Sequence, residues 1–154
     1  MLTEDEKREI EEEFKLYPFK QAATIEALKV VQKHRGWVSD ESLKDVAEIL
    51  EVTPDELDSV ATFYNLIFRR PVGRHVILIC NSVSCYVMGY NEILSIISKQ
   101  LGIRYGETTP DGRFTLLPIP CLGTCDRAPA LMVDHDLHRD LTPEKINVIL
   151  EGYK

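Results

Sequence analysis

CNSVSC at residues 80–85 and CLGTC at residues 121–125 contain every cysteine of the chain, namely Cys80, Cys85, Cys121 and Cys125. The two pairs have the spacings C-x4-C and C-x3-C, and 35 residues separate them. The two cysteines of each pair are close enough in sequence to bind at one metal site. The long interval between the pairs lets the fold bring the two pairs together. Four thiols grouped in this way predict a tetrathiolate metal centre.

Three kinds of site use cysteines in such a pattern. A [2Fe–2S] cluster is commonly held by four thiolates, a structural zinc ion can also take four, and two disulfides would use the same residues. The spacing alone favours an iron–sulfur cluster over zinc, and zinc over disulfides. It differs from the spacing of plant-type ferredoxins, in which three of the four cysteines lie close together.

The residues around the second pair resemble a known family. Cys121–Pro129, CLGTCDRAP, resembles the C-L-G-x-C-x-x-A-P signature of the thioredoxin-like [2Fe–2S] ferredoxins, and most of all that of the small ferredoxin subunit of bacterial NADH:quinone oxidoreductase, respiratory complex I. Gly89, Gly36-Trp37-Val38 and Ala61-Thr62-Phe63-Tyr64 are similar to further segments of that family. The resemblance runs from about residue 20 to residue 153. One departure is Val83-Ser84, where the family often has Thr-Pro, and it leaves all four cysteines in place.

This resemblance implies that one [2Fe–2S] cluster is held by Cys80, Cys85, Cys121 and Cys125. It implies an electron-transfer subunit that pairs with the FMN- and NADH-binding flavoprotein subunit at the cytoplasmic face of the inner membrane. Alternatives are the equivalent diaphorase subunit of an NAD-linked hydrogenase or formate dehydrogenase, and a free ferredoxin. An alternative of another class is a zinc-stabilised interaction module with no redox role.

The composition is that of a globular protein, with 44% hydrophobic and 28% charged residues among 154. A net charge of −7 argues against nucleic-acid binding. No run of about 18 apolar residues predicts a membrane span, and the charged N-terminus does not resemble a signal peptide. The expected location is therefore the cytoplasm, where reducing conditions disfavour disulfides.

The motifs of an NADH-oxidising enzyme are not recognisable in the sequence. No G-x-G-x-x-G follows a predicted strand, and nothing resembles a nucleophile with an adjacent base. His135 and His138 lie near a predicted turn, where exposed surface positions are a better interpretation than metal ligands. We therefore expect a chain that carries electrons and does not oxidise NADH by itself.

Residues 1–70 are predicted to form a helical bundle. Capping boxes begin helices at Thr3 and Thr53, with Pro at the first position of the second, and Ser39 caps another helix. A further helix is expected from about residue 21 to residue 34, ending at Gly36. The first helix has few apolar positions, so we expect it to be frayed or docked on a partner. We expect Ala61-Thr62-Phe63-Tyr64 to pack in the core, and Arg69, Arg70 and Arg74 to lie in a solvated linker.

Residues 71–154 are predicted to form a thioredoxin-like β-α-β-β-β-α domain, which makes the whole chain a mixed α/β (α+β) protein. The continuous apolar run His75–Ile79 indicates a central strand buried on both faces. A helix is expected at 89–101, a strand at 113–117, a hairpin around Asp134-His135-Asp136 and a last helix after Thr142. The two strands around the helix should be parallel, and the closing hairpin antiparallel.

The resemblance to thioredoxin also bears on Pro129. Thioredoxins have a cis proline before the strand that follows the active loop, and Pro129 is in that position. Only about 5–6% of X–Pro bonds are cis. The resemblance raises the expectation of a cis Ala128–Pro129 bond and leaves trans the more frequent outcome.

Overall fold

The computed structural model describes residues 1–154. The chain divides into two compact units, Met1–Pro71 and Val72–Lys154. We propose that these units are the two domains expected at 1–70 and 71–154. No helix combines the length and the apolar character that crossing a bilayer requires.

The first unit is a bundle of four helices: α1 Glu4–Phe14, α2 Thr24–Arg35, α3 Asp40–Leu50 and α4 Pro54–Phe63, with a 3-10 turn at Lys20–Ala23. Both predicted capping boxes are present, and Ser39 caps α3 as expected. Gly36 ends α2 in the left-handed conformation, with a φ of 79°. The predicted apolar faces meet in one core that includes Leu28, Val31, Leu43, Val46, Leu50 and Leu57.

The first helix belongs to this bundle, so the expectation of a frayed helix is wrong, whereas docking of the helix on a partner stays a prediction. Ile10 is fully buried, and α1 packs against α2. The buried carboxylate of Glu6 accepts hydrogen bonds from Arg35 Nε at 2.6 Å and Nη2 at 2.7 Å. Arg35 also donates to Ser42 Oγ at 2.9 Å. A paired ionic contact of this kind is geometrically specific, and it fixes a helix whose sequence offers few apolar residues.

Two expectations near the end of α4 hold only in part, since Ala61 is buried and Arg70 and Arg74 are exposed as expected. Phe63, however, is 76% exposed and Tyr64 43% exposed. The helix stops at Phe63 and Tyr64 is extended, with φ −88° and ψ 115°, so the helical spacing from Leu57 no longer places Tyr64 in the core. Arg69 is not a solvated linker residue, because its guanidinium donates to Asp58 Oδ1 at 2.8 Å, to Asp40 Oδ1 at 2.6 Å and to the carbonyl of Val38.

The second unit contains one sheet of four strands: β1 His75–Cys80, β2 Phe114–Ile119, β3 Leu131–Val133 and β4 Asp136–His138. The strand order is β2-β1-β3-β4, so the apolar strand β1 lies inside the sheet as predicted. β1 pairs with β2 in parallel and with β3 antiparallel, and β3 and β4 form the predicted antiparallel hairpin.

Three helices complete the second unit: α5 Val83–Val87, α6 Tyr90–Leu101 and α7 Pro143–Gly152. The predicted order β-α-β-β-β-α is confirmed, with α5 as an addition. The sequence predicts the first cysteine pair wholly in a loop, whereas Cys85 lies inside α5. Ile97 of α6 and Ile146 of α7 are fully buried. The Ala128–Pro129 peptide bond is cis.

We expect the stability of the helical bundle to depend on pH through Glu6. Hydrogen bonds from Arg35 lower the pKa of Glu6 from 4.5 to about 2. Because the pKa is lower in the folded state, the stabilisation is complete above the unfolded value and is lost as the pH falls towards 2. At pH 7, Glu6→Gln should lower the free energy of unfolding by about 2–3 kcal/mol, as measured by chemical denaturation.

Glu4→Gln is the matched control, since Glu4 lies in the same turn and forms only an exposed pair with Lys7. Exposed pairs contribute about 0–1 kcal/mol, so this variant should remain close to the parent protein. Equal losses for the two variants at pH 7 would contradict the assignment. So would a loss for Glu6→Gln that stays unchanged between pH 7 and pH 3.

Candidate metal centre

Both cysteine pairs lie at the same edge of the sheet. Cys80 is the last residue of β1, and in the parallel register it faces Ile119, the last residue of β2. The ladder continues one step further, where Asn81 N–H donates to the Ile119 carbonyl at 3.1 Å. Cys121 follows two residues after Ile119. The two pairs are therefore carried by the ends of neighbouring parallel strands.

The first pair is buried, with Cys80 and Cys85 each 2% exposed. The Cys80 thiol and the backbone of Ala130 lie close enough to the Cys85 sulfur to influence its pKa. Burial, and then the contact with Cys80, raises the pKa of Cys85 to about 11. Metal ligands must be deprotonated, so a metal ion that binds Cys85 has to displace a proton at neutral pH.

The second pair is exposed. In its loop, Gly123 has a φ of 70° and its N–H donates to Cys121 Sγ at 3.3 Å. Cys125 begins a 3-10 turn, Cys125–Arg127, and its charge is close enough to contribute to the raised pKa of Cys85. Downstream, the Ala130 carbonyl accepts from Cys80 N–H at 3.1 Å. The segment after the second pair is thus hydrogen-bonded to the strand that carries the first.

These residues fit a two-iron cluster. Four thiolates hold such a cluster with two of them on each iron, so two separate pairs meet its needs. A tetrahedral zinc site requires four sulfurs at about 2.3 Å from one ion. In the structure Cys80 and Cys85 form one buried pair, Cys121 and Cys125 form a separate exposed pair, and all four cysteines are free.

A second feature of the loop also fits a cluster. The hydroxyl of Thr124, between the two exposed cysteines, is buried and has no hydrogen-bond partner in the protein. Buried polar groups nearly always have a partner, and the sulfur atoms of a cluster accept hydrogen bonds. The sequence gives no sign of this hydroxyl, because a threonine in a cysteine loop is equally compatible with a solvent-facing side chain.

A third feature, which the sequence patterns above do not predict, is an exposed apolar surface beside Cys85. We call it the α5 face; its members are Val83, Tyr86, Val87 and Met88, which are 74%, 58%, 74% and 60% exposed. The spacing of Val83, Tyr86 and Val87 is that of one helical side, which is the signal that could have revealed it. Clustered apolar side chains on a surface often mark a binding site.

The two histidines considered as further ligands do not join the cysteines. His135 is exposed in the hairpin turn, as expected. His138 Nε2 lies 2.9 Å from the Tyr153 hydroxyl, which donates to Asp136 Oδ2 at 2.9 Å. These hydrogen bonds link the β3–β4 hairpin to the end of α7.

Comparison with known proteins agrees with the geometry. The model of the thioredoxin-like [2Fe-2S] ferredoxin family matches residues 10–154. The E subunit of NADH-quinone oxidoreductase from Pseudomonas aeruginosa is 51% identical over 153 residues, which are 99% of this chain and 92% of that protein. Its counterpart of the same name from Escherichia coli (strain K12) matches with the same identity and coverage.

Among solved structures, the fold is similar to part of an NAD+-reducing [NiFe]-hydrogenase, in its air-oxidised state, with a TM-score of 0.71 and 22% identity. The match covers 84% of this chain and 22% of that hydrogenase chain.

We expect the left-handed backbone at Gly123 to be needed for stable cluster binding. A side chain at this φ costs about 1–2 kcal/mol, although a Cβ would meet no atom within 4 Å. Gly123→Ala should therefore strain the loop that presents Cys121 and accelerate cluster loss. The measurement is the rate at which visible absorbance fades in the presence of an iron chelator.

Gly102→Ala provides the matched control. Gly102 ends α6 with a φ of 69°, and a Cβ there also meets nothing within 4 Å. The two variants should lose similar stability, while only Gly123→Ala loses the cluster faster. Equal fading rates in the two variants would show that strain at Gly123 has no special effect on the cysteine loop.

Proposed function

This chain belongs to the thioredoxin-like [2Fe–2S] ferredoxin family, and we propose that it transfers electrons as the [2Fe–2S] subunit of an NADH:quinone oxidoreductase. The observation that carries the proposal is the placement of two cysteine pairs at the ends of the neighbouring parallel strands β1 and β2. The relatives that bear the name of an NADH-quinone oxidoreductase component span nearly the whole chain, which favours this assembly over a hydrogenase or a formate dehydrogenase.

The proposed ligands are Cys80, Cys85, Cys121 and Cys125. When bound, a [2Fe–2S] cluster supplies a centre that gains and loses one electron at a time. The protein would provide the four thiolates, and the N–H of Gly123 donates to the sulfur of Cys121 at 3.3 Å. Hydrogen bonds to ligand sulfurs orient the ligands and influence the reduction potential.

The proposed partner is the flavoprotein subunit that binds FMN and NADH. NADH releases two electrons as a hydride, whereas a single cluster of this type accepts one. A flavin can bridge this difference between two-electron and one-electron transfer, since organic cofactors carry redox chemistry of this kind while the protein positions them. The chain itself then acts as a non-catalytic subunit of the oxidoreductase, on the cytoplasmic face of the inner membrane and without inserting into the bilayer.

The α5 face is the surface that we expect to contact this partner. It lies on the same short helix as Cys85 and continues to Met88. Cys121 and Cys125 are exposed as well. Apolar side chains at the centre of an interface exclude water and carry much of the binding energy, so docking here would bring the partner close to the cysteine loops.

We expect no oxidation of NADH by the purified subunit. Dithionite should bleach its visible absorbance, NADH alone should not, and NADH should do so once the flavoprotein partner is added. The measurement is anaerobic spectroscopy of the subunit alone, of the partner alone and of the mixture. Bleaching by NADH in the absence of the partner would show that the chain holds a nucleotide or flavin site of its own.

We expect Val87→Asp to weaken docking. A charge at the α5 face would be desolvated without a counter-ion at the interface, so the affinity for the flavoprotein should fall at least about tenfold, roughly 1.4 kcal/mol. The affinity is measured by titration calorimetry, together with the iron content of the variant. Val148→Asp is the matched control, since Val148 is a 72% exposed valine on α7, against 74% for Val87. Equal affinities for the two variants would place the interface elsewhere.

A further inference from the structure

We propose that the hydroxyl of Thr124 donates a hydrogen bond to a sulfur of the bound cluster and thereby raises the reduction potential of the protein. The inference rests on the proposed function, because it requires that the cysteines hold a [2Fe–2S] cluster. It assigns to Thr124 a role in setting the potential, in addition to the four thiolate ligands.

The first observation is the burial of this side chain. Thr124 is 8% exposed, whereas its neighbours Gly123, Cys125 and Asp126 are all exposed. A polar side chain in an otherwise exposed loop would ordinarily face water. Thr124 instead turns its hydroxyl into the protein, where solvent does not reach it.

The second observation is that this hydroxyl has no partner in the protein. The other buried threonines of this unit, Thr109 and Thr115, form side-chain hydrogen bonds. Thr124 Oγ1 forms none, although it is buried. A hydroxyl can both donate and accept, and leaving a buried one unpaired is unfavourable.

The third observation is the position of Thr124 between the proposed ligands. It immediately precedes Cys125 and is three residues from Cys121, in the loop where Gly123 N–H already donates to the Cys121 sulfur. The backbone around Thr124 is held in place, because its carbonyl accepts from Arg127 N–H at 3.1 Å. The atoms that a cluster would bring into this loop are sulfurs, which accept hydrogen bonds and so match the unpaired donor.

The expected effect on the midpoint potential follows from the charge of the cluster. One-electron reduction makes the centre more negative, and a donated hydrogen bond to sulfur stabilises the more negative state more strongly. Removal of the donor should therefore make the midpoint potential more negative. If the substitution merely let water into the loop, the water would supply a donor again and the midpoint potential would not fall.

The test is a redox titration of the cluster-loaded protein and three variants. Thr124→Val removes the hydroxyl and keeps the branched shape, and Thr124→Ser keeps the hydroxyl. Thr108→Val removes a threonine hydroxyl that is bonded to Thr115, which pairs near the opposite end of β1 from Cys80. We expect the equilibrium constant for reduction to fall about tenfold in Thr124→Val, or about 59 mV for one electron. Thr124→Ser and Thr108→Val should stay near the parent value.

Two results of the titration would overturn the inference. One is an unchanged midpoint potential in Thr124→Val, which would leave the hydroxyl paired with a buried water or with nothing. The other is an equal shift in Thr124→Val and Thr124→Ser, which would assign the effect to packing. An iron and sulfide assay on each sample separates these results from failure of the proposed function, in which even the parent protein would contain no cluster.

A spectroscopic measurement covers the case in which Thr124→Val does not hold a cluster, with Thr124→Ala as a second variant that lacks the hydroxyl. The exposed Gly123 N–H also exchanges with solvent, so each reduced protein is compared after full equilibration in H2O and in D2O. Electron–nuclear double resonance should show one more exchangeable, strongly coupled proton in the parent protein than in Thr124→Ala. An equal number of such protons in the two proteins would overturn the inference.

Discussion

The candidate centre depends on the parallel pairing of β1 with β2. That pairing runs from His75 opposite Phe114 to Cys80 opposite Ile119, and it ends where both cysteine loops begin. Cysteine pairs that are 35 residues apart in sequence are thereby brought to one edge of the sheet. A parallel connection needs a crossover, and α6 provides it, with Ile97 buried in the unit. A shift of register would move Cys80 away from the end of β2 and separate the two pairs.

The sequence is a good guide where local signals and burial agree. The capping residues Thr3 and Thr53 begin helices because their side chains satisfy free backbone N–H groups, a local effect that the order of residues reveals. The apolar run of β1 predicts a strand inside the sheet for a similar reason. Failures occur where a single contact outweighs the average pattern: one ion pair between Glu6 and Arg35 secures a polar helix, and the early end of α4 leaves Phe63 exposed.

At the candidate metal centre, too, some features can be predicted from the sequence and others cannot. Spacing predicts the grouping of the four cysteines, and resemblance raises the chance of the cis bond at Ala128–Pro129. Spacing carries no information on exposure, so it cannot show that the first cysteine pair is buried while the second is exposed. It also cannot show that the Thr124 hydroxyl is buried, or that the Ala130 carbonyl accepts a hydrogen bond from Cys80 N–H. These features depend on how two loops approach one another in space.

The difference between the pairs is consistent with an electron carrier. Cys80 and Cys85 are buried, whereas Cys121, Cys125 and the α5 face are exposed. Burial raises the pKa of Cys85 to about 11, so a metal ion bound there would have to displace the proton of this thiol. The chain belongs to a family of [2Fe–2S] ferredoxins, in agreement with a role as an electron carrier.

The most direct test of the central claim is a joint assay of iron, acid-labile sulfide and zinc in the purified protein. We predict two iron and two sulfide per chain, as the family's cluster requires, together with a reddish-brown colour and little zinc. Stoichiometric zinc without sulfide, in a colourless protein, would contradict it.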